Sequence, residues 1–558
     1  MLHRLGHERF LYVLITCQIA MLVYLSIATA PGWDEWAHLP SGLYILQHSD
    51  FRPYCVNPPL QRTWCALPVW LLNSHFDGPA ISDAPGYRGE WMLAVRFVQI
   101  NGESTFAWMS LARVAGVVFP LLGTLLIWGI SKRLFSTWTA ICATTFWVFS
   151  PTVLTFGASI TPDVCAATFG LLVAWRNYIW LRLPTLKNSI LLGTSLGVAL
   201  LSKFTWIILP PLLIVLLIAE CIRCRCHTKG WIQRFGQLAL VGFIAIFTVN
   251  LGYEFTGFGW KLSEFTFCSQ ALSGAESLPG NRFFDSWIGE IRLPIPKDYV
   301  LGIDLQKRDF EGRFESYFLG ERKDSGWWHY YIVGLWLKEP IALSLLLMFG
   351  IVQLVVQFKR QGFRYSGCWP WFVVSIPGIV LFIFVSSQTG FNHHLRYVLP
   401  SLPCLYMAIA RLATLGRQSR TKWAVIVLLV WYCASSVAVL PRSYSYFNEA
   451  VGGPSAGMNY LDNSNLDWGQ DLLTIRQWIK DNPDRRPVYL IYSVDLIDDF
   501  EVLGIEATNG RPYIDEMGPT KAGWWIVSNG LLLRKEGRWF RDKKGVRLSV
   551  STSAYLVK

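Results

Sequence analysis

Two adjacent carboxylates, Asp34 and Glu35, follow the first apolar stretch of the chain, in PGWDEWAHLPSGLYIL at residues 31–46. Glu35 and His38 are three positions apart, so they share one face of a helix with Asp34. A carboxylate held at the edge of a membrane can take a proton from a hydroxyl group, whereas charge inside hydrocarbon is costly. The pattern predicts Asp34 as a general base and Glu35 as its orienting partner. The alternative is a solvated helix start, where acids complement the helix dipole.

Two further groups of side chains could complete such a site. Asp163 follows Thr161-Pro162 and is either a second functional carboxylate or only an acid at a helix N-terminus. Arg396 comes after His393 and His394 in HHLRY. The planar fork of arginine suits phosphate oxygens, so we expect these three residues to meet a phosphate group. The alternative for Arg396 is an interfacial arginine that reaches toward water.

The composition indicates a polytopic membrane protein. The 558 residues are 52% hydrophobic and only 16% charged, whereas soluble proteins have about a quarter charged residues. The first apolar run, 10–30, is long for a signal peptide and lacks an A-x-A cleavage site, so we interpret it as a retained span. Apolar windows predict eleven spans, approximately 10–30, 107–131, 138–157, 164–181, 189–202, 204–221, 236–253, 340–358, 370–387, 395–411 and 422–440.

Basic residues orient these spans. They are concentrated in alternate loops, as in Lys132-Arg133 and in CIRCRCH at 221–227, with few acids beside them. This positive-inside pattern predicts a cytoplasmic N-terminus, and it explains the net charge of +12 without a nucleic-acid partner. The outer side then receives residues 31–106, 254–339, 388–394 and 441–558.

The predicted fold is mainly α, with a membrane domain at 1–440 and a small extracytoplasmic α/β domain at 441–558. Its large outer loops, 31–106 and 254–339, are too long to be simple connectors and carry amphipathic helices. In the tail we expect a helix at 472–480 and strands at 488–494, 523–529 and 546–557. Asp467 and Asp471, in NSNLDWGQDL, either bind a sugar or cation or form a turn and a helix start, and we favour the turn.

Several motifs together resemble the GT-C lipid-linked glycosyltransferases, within them the protein O-mannosyltransferases and the lipid A aminoarabinose transferases. The acidic pair after the first span is followed by a short helix and by Asn57-Pro58-Pro59-Leu60. The other stretches, in chain order, are SPTVLTFGASITPDV (150–164), RLPIPKDYVLGI…GWWHYYIVGLWLKEP (292–340), HHLRYVLPSLP (393–403) and NEAVGGP…SNLDWGQDL (448–472). Each motif is weak alone, but their order along this topology is specific.

The resemblance implies an inverting enzyme of a bacterial inner membrane, which moves a sugar from a polyprenyl phosphate to an acceptor at the outer face. Asp34 would act as base, and Tyr330 or Tyr331 would donate a further hydrogen bond. Relatives carry lysine or histidine where this chain has Asn57, so Arg62 or Arg96 would have to supply the charge, with His38 nearby. A divalent cation, Mg²⁺ or Mn²⁺, could bridge the carboxylates of Asp34, Glu35 and Asp163 to phosphate, although no ligand set demands one.

Two other classes of protein remain as alternatives: a transporter or flippase of lipid-linked sugars, and a non-enzymatic assembly protein. Transporters place polar groups at the bilayer midplane, often in repeated halves, and neither feature is present in the predicted spans. The sequence does not identify the sugar or the acceptor, which is a protein, a lipid or a glycan.

The cysteines leave two questions open. Cys55 and Cys65 share an outer loop and form a disulfide there or remain free thiols. Cys221, Cys224, Cys226 and His227 have the spacing of a zinc site, but neighbouring arginines would repel a cation, so we favour free thiols near the membrane.

Overall fold

The computed structural model describes residues 2–72, 76–274, 279–312, 314–361, 368–388, 392–416 and 418–558. Parts of the predicted outer loops, 73–75, 275–278, 313 and 389–391, lie outside the described residues. The helices are α1 (Leu2–Ala28), α2 (Glu35–His48), α3 (Leu60–Leu72), α4 (Glu90–Asn101), α5 (Thr105–Gly116), α6 (Val118–Leu134), α7 (Thr137–Phe149), α8 (Pro151–Gly157), α9 (Pro162–Arg182), α10 (Leu186–Ser202), α11 (Leu209–Arg223), α12 (Thr228–Gly252), α13 (Gln270–Ser273), α14 (Lys297–Glu311), α15 (Tyr330–Lys338), α16 (Ile341–Gln361), α17 (Cys368–Ser387), α18 (Leu402–Ala413), α19 (Ser419–Val437) and α20 (Leu472–Asp481).

The apolar helices make the chain a multi-pass membrane protein of mainly helical structure, as predicted. Each of the eleven predicted segments falls on helices. Within the described ranges, seven helical stretches are long and apolar enough to cross a membrane, or eight if α7 and α8, bent by 57°, form one span. The count of eleven therefore stays a prediction, because shorter helices such as α10 and α18 do not reach that length.

Helix α2 differs from its prediction as an amphipathic helix on the membrane surface. Every residue from Glu35 to Ile45 is buried, including Trp36. The helix packs against α3 and α4, and α20 and strands of the tail complete the apolar cluster that contains Trp36. Because neighbouring elements cover α2 from Glu35 to Ile45, the carboxylate of Glu35 lies inside protein.

The tail contains a five-stranded mixed sheet. The strands of the chain are β1 (Ser316–Phe318), β2 (Glu321–Lys323), β3 (Val488–Ile491), β4 (Thr508–Asn509), β5 (Ile514–Asp515), β6 (Gly518–Pro519), β7 (Gly523–Ser528), β8 (Val546–Arg547) and β9 (Thr552–Val557). The sheet has the order β4-β3-β7-β9-β8, with β3 parallel to both β4 and β7 and with β9 antiparallel to β7 and β8. The predicted helix and the first two predicted strands are confirmed, whereas the third is divided into β8 and β9.

Four element ends converge on one place. The start of α2 carries Asp34, and α9 begins at Pro162, whose fixed backbone angle suits a first helical turn, so that Asp163 lies in that turn. Lys203 is an extended residue between α10 and a 3₁₀ helix at Phe204–Ile208. Arg396 lies in a second 3₁₀ helix, Leu395–Ser401, which leads into α18.

Candidate active site

Asp34 and Arg396 form the centre of the site. Arg396 Nη2 donates to Asp34 Oδ2 across 2.6 Å, and the two side chains are 7% and 22% exposed. We expected these residues on the same side of the membrane, and the structure brings them into contact. An ion pair at this depth lies in a low dielectric, where charge interactions are strong.

Asp163 and Lys203 form a second ion pair beside the first. Lys203 Nζ lies 2.5 Å from Asp163 Oδ1, and both side chains are buried. Asp163 Oδ2 lies 3.8 Å from Arg396 Nη1, which links the two pairs. The Lys203 ammonium group therefore points inward to a carboxylate and does not reach toward the membrane interface.

Two polar atoms of this group are available to a ligand. Among the described residues, neither Asp163 Oδ2 nor Arg396 Nε has a hydrogen-bond partner, although both atoms are buried. Buried polar atoms are nearly always hydrogen-bonded, so each such atom in a cavity wall indicates a place for substrate or water.

Glu35 lies next to Asp34 in sequence but faces away from this centre. It is fully buried and pairs with Arg113, whose Nε and Nη2 donate across 2.8 and 2.5 Å. The backbone N–H groups of Gly32 and Ile160 also donate to its two oxygens, each across 2.8 Å. Both oxygens thus have two donors, and the geometry gives Glu35 the orienting task of joining the α1–α2 loop to α5 and to the loop before α9.

A cavity of about 410 Å³ opens on the charged group. This volume is within the range of ligand pockets in proteins, about 300–1,000 Å³. The residues that line it come from the predicted outer loops and from the ends of α9, α10 and α14: Trp33, Asp34, Tyr54, Val56, Asn57, Arg88, Trp91, Pro162, Asp163, Lys203, Gln306, Asp309, Phe310, Phe314, His393, His394, Arg396 and Tyr397.

Of the predicted binding residues in the first outer loop, only Asn57 lines this cavity. Arg62 is buried and donates to the carbonyl oxygens of Tyr54 and Asn57 while its guanidinium stacks on the Tyr54 ring, so it holds the loop together. Arg96 is 45% exposed and lies 3.8 Å from Asp77, outside the cavity. Neither arginine replaces the charge that Asn57 lacks, and Lys203 and Arg396 are the cations beside the carboxylates.

The pKa values of the three predicted histidines are lowered in the structure. His38 lies behind the cavity, 3.3 Å from the Tyr54 hydroxyl, and burial together with Arg62 and Arg396 lowers its pKa. His393 and His394 do line the cavity. Burial lowers the pKa of both, most strongly for His394, which also lies near Arg396. Their ring nitrogens can donate or accept hydrogen bonds there.

Tyr330 and Tyr331 are fully buried and outside the cavity wall. The Tyr330 hydroxyl accepts from Asn465 Nδ2 across 2.9 Å. The tyrosine that does line the cavity near Arg396 is the next residue, Tyr397.

The tail segment 463–470 packs directly on the charged group. The Trp468 ring lies 4.4 Å from the Arg396 guanidinium, and its carbonyl oxygen accepts from Trp33 N–H across 2.8 Å. A Cβ on Gly32 would lie 2.5 Å from the same ring, so this close approach requires glycine. Asn465 accepts from Leu395 N–H across 3.0 Å. Through Trp468 and Asn465, the segment supports the residues around Arg396.

Asp467 and Asp471 lie deeper in the tail. Asp471 stands at the N-cap position of α20, but no side-chain cap bond is made there. Its Oδ2 instead accepts from the hydroxyls of Ser549, Ser551 and Thr552. The predicted helix start is confirmed, while the acid itself anchors the segment to β9 and the turn before it.

The three carboxylates predicted as possible metal ligands already have protein partners. Each of Asp34, Glu35 and Asp163 is already paired with a buried arginine or lysine. Throughout the described ranges, no three histidine, cysteine or acidic side chains are grouped as metal ligands, and this includes Cys221, Cys224, Cys226 and His227. All twelve cysteines, with Cys55 and Cys65 among them, are free thiols.

Sequence reasoning missed several cavity residues. Lys203 interrupts two apolar runs, and a lysine at a break between membrane helices was a usable signal for an intramembrane site. Arg88, Trp91, Gln306 and Asp309 carry no such signal, because only the folding of two outer loops over one cavity brings them together.

One family model matches part of the chain. Residues 86–251 match the model of the family described as dolichyl-phosphate-mannose-protein mannosyltransferase. This segment includes Arg88, Asp163 and Lys203. The predicted resemblance to the polyprenyl-phosphate-dependent glycosyltransferases is confirmed by this match. No curated protein matches the chain significantly.

Two solved structures are similar to the chain over nearly its whole length. They are crystal structures of ArnT from Cupriavidus metallidurans, one bound to undecaprenyl phosphate and one in the apo state. Each is 12% identical, with 97% of both chains covered and a TM-score of 0.42. At this level of similarity the site described above stands on the contacts of this chain alone.

Proposed function

We propose that the chain transfers a sugar from a polyprenyl phosphate to an acceptor hydroxyl at the outer face of a bacterial inner membrane. One observation carries the proposal: Asp34, Asp163, Lys203 and Arg396 converge on a single cavity, although they come from four distant parts of the chain. The family match over residues 86–251 supports the same reaction class. The orientation, with a cytoplasmic N-terminus and an extracytoplasmic tail, follows from the basic loops.

The reaction divides between the carboxylate and the cations. The acceptor oxygen attacks the anomeric carbon, Asp34 takes the proton of that hydroxyl, and the bond from the anomeric carbon to the phosphate oxygen breaks. The electron pair of that bond leaves with the polyprenyl phosphate. Arg396 and Lys203 stabilise the negative charge on this phosphate, and inversion at the anomeric carbon follows from a single displacement.

Asp163 has a positioning task in this scheme. It holds the Lys203 ammonium group from one side and lies close to Arg396, so both cations are fixed before the substrate arrives. Prearranged charges of this kind are worth more than mobile ones, because they need no reorganisation during the reaction.

We propose that the transfer reaction needs no divalent metal ion. The carboxylates that would bind Mg²⁺ or Mn²⁺ already have protein partners, and we propose that Arg396 and Lys203 supply the positive charge instead. The acceptor class, whether a protein, a lipid or a glycan, stays undetermined by these contacts.

The test distinguishes an enzyme from a flippase. Purified protein in proteoliposomes receives undecaprenyl phosphate carrying a radiolabelled hexose, together with a membrane extract as the acceptor source. We expect label to move onto an acceptor and to stop moving in Asp34→Asn. Movement of the labelled lipid across the bilayer without transfer would contradict the proposal, and so would full transfer by Asp34→Asn.

A further inference from the structure

Two tryptophan rings in the cavity wall have no part in the phosphate chemistry. Trp33 and Trp91 lie there with ring centroids 5.6 Å apart and planes tilted by 54°. Both rings line the cavity, and Trp33 directly precedes Asp34. Aromatic rings offer a broad apolar face with little conformational freedom to lose. This is the kind of surface on which the C–H face of a sugar ring packs.

Polar groups beside these rings are suited to hydroxyls. Arg88 Nη1 lies 3.1 Å from Asp309 Oδ2, and this pair joins the loop before α4 to the end of α14. Asn57 presents a buried Oδ1 to which no described residue donates, whereas its backbone oxygen is already bound by Arg62. An unpartnered buried acceptor in a cavity wall calls for a donor from the ligand. A hydroxyl group supplies one, and the Arg88–Asp309 pair can both donate and accept.

The charges of Arg88 and Asp309 also restrict which chemical groups a ligand can carry here. Arg88 is already bound by the carboxylates of Glu90 and Asp309. A carboxylate on a sugar ring would therefore meet Asp309 without a free cation to receive it. Like charges at contact distance repel, so this wall disfavours a ligand that carries a carboxylate.

We propose that Trp33, Asn57, Arg88, Trp91 and Asp309 form the subsite for the sugar ring of the donor, and that this ring carries hydroxyl groups and no carboxylate. The inference rests on the proposed function. The donor ring is assigned here because these five residues line the same cavity, of about 410 Å³, as Asp34 and Arg396. A ring on Trp33 has its anomeric carbon next to Asp34 on one side and to Arg396 on the other.

The experiment compares three lipids on the purified full-length chain in nanodiscs: undecaprenyl phosphate, undecaprenyl phosphate glucose and undecaprenyl phosphate glucuronate. We expect wild type to bind the glucose lipid more tightly than the bare phosphate and more tightly than the glucuronate. Trp91→Ala and Asp309→Asn each lower affinity for the glucose lipid about tenfold, the loss expected for one stacking or hydrogen-bonding group. Affinity for undecaprenyl phosphate stays within about twofold.

Binding of the bare phosphate by the variants shows that they are folded. Matched controls are Trp287→Ala, a 79% exposed tryptophan outside the cavity, and Arg96→Gln on the outer face of α4. Equal loss for both lipids, or no loss for either, would overturn the subsite. Unchanged binding with lower transfer would assign the rings to the acceptor and also overturn it. Failure of wild type to bind any of the three lipids would contradict the proposed function instead.

Discussion

Arg396 and Asp34 form an ion pair with each other. The guanidinium donates to the carboxylate across 2.6 Å, although 362 positions of sequence separate the two residues. The proposed base and the proposed phosphate ligand are thus neutralised in the structure without substrate. A phosphate that binds Arg396 must compete with Asp34, and its arrival frees the carboxylate to accept a proton.

Replacing Asp34 by asparagine should separate binding from transfer. Asp34→Asn removes the competing carboxylate, so we expect undecaprenyl phosphate to bind about tenfold more tightly. A neighbouring charge typically shifts a pKa by about one unit or more, which corresponds to a tenfold change in an equilibrium constant. Transfer falls by about 10²–10⁴-fold, the usual contribution of a general base. Calorimetric titration and a turnover assay measure the two effects, with Asp50→Asn, in a partly exposed pair with Arg52, as control. Weaker lipid binding by Asp34→Asn would refute the competition.

Glu35 should behave as a structural residue, in contrast to its neighbour. Glu35→Gln leaves the Arg113 guanidinium buried without its counter-charge, which typically costs about 3–5 kcal/mol of unfolding free energy. We expect a lower unfolding temperature in detergent, while the folded fraction keeps its KM and the pH profile of transfer. Glu103→Gln is the matched control, because Glu103 pairs with Arg476 at the surface and is 57% exposed. Surface pairs of this kind contribute about 0–1 kcal/mol. A changed pH profile in Glu35→Gln would instead indicate participation in catalysis.

Trp468 should act on the reaction through Arg396. Its ring lies 4.4 Å from the guanidinium, a contact worth about 0.5–2 kcal/mol. We expect Trp468→Ala to raise the KM for the lipid donor about three- to thirtyfold, and Trp468→Phe to restore most of it because an aromatic face remains. Trp524→Ala is the control, since Trp524 packs on Trp478 and Arg485 elsewhere in the tail. Equal effects of Trp468→Ala and Trp524→Ala on KM would point to a general loss of tail structure.

The stability of the tail should depend on the protonation of Asp467. Burial, and then the nearby charge of Asp471, raises the pKa of Asp467 to about 7. The folded chain thus holds a proton there that the unfolded chain releases at a lower pH. This contribution to stability is present in full below the unfolded pKa, about 3.9, and is lost as the pH rises toward 7.

Asp467→Asn removes this dependence. We expect the variant to lose less stability than wild type between pH 5 and 7 and to be at least as stable at pH 8, where burial of a charged Asp467 is costly. Unfolding temperatures across that pH range measure the difference, and Asp481→Asn, in the exposed last turn of α20, is the control. Parallel curves for Asp467→Asn and wild type would show that Asp467 is ionised throughout.

Chelation should leave transfer intact. Asp34 and Asp163 are paired with Arg396 and Lys203. We therefore expect EDTA treatment to change the transfer rate by less than about twofold, which is a small change in the activation free energy. Added Mg²⁺ or Mn²⁺ should have equally little effect. A loss of activity that Mn²⁺ restores would require a cation between these carboxylates and the phosphate.

The sequence predicts the helices and the side on which the charged residues meet, because apolar length and basic loops are local properties. It also predicts Asp34, Asp163 and Arg396 as neighbours, since topology alone places the ends of their elements together. It does not predict which acid of the Asp34-Glu35 pair faces the cavity. That choice depends on Arg113, which lies 78 positions away and binds Glu35 from inside the bundle.

Tyr330 and Tyr331 illustrate a second limit. Their aromatic hydroxyls suit a phosphate, but Asn465 from the tail binds the Tyr330 hydroxyl and holds it away from the cavity. Likewise, Arg62 is bound by carbonyl oxygens of its own loop. In each case a hydrogen bond from a distant or irregular segment decides the orientation, and periodicity in the sequence carries no information about such bonds.

The bonds from Asp471 to Ser549, Ser551 and Thr552 have a consequence for biosynthesis. Gln470 also donates to Ser551 across 3.0 Å, and its carbonyl oxygen receives Ala30 N–H across 2.9 Å. The loop that carries Asp34 is thus joined to residues more than five hundred positions later. A nascent chain that has delivered only its membrane helices still lacks this support, so we expect the candidate site to assemble only after residues 463–552 have been made and folded.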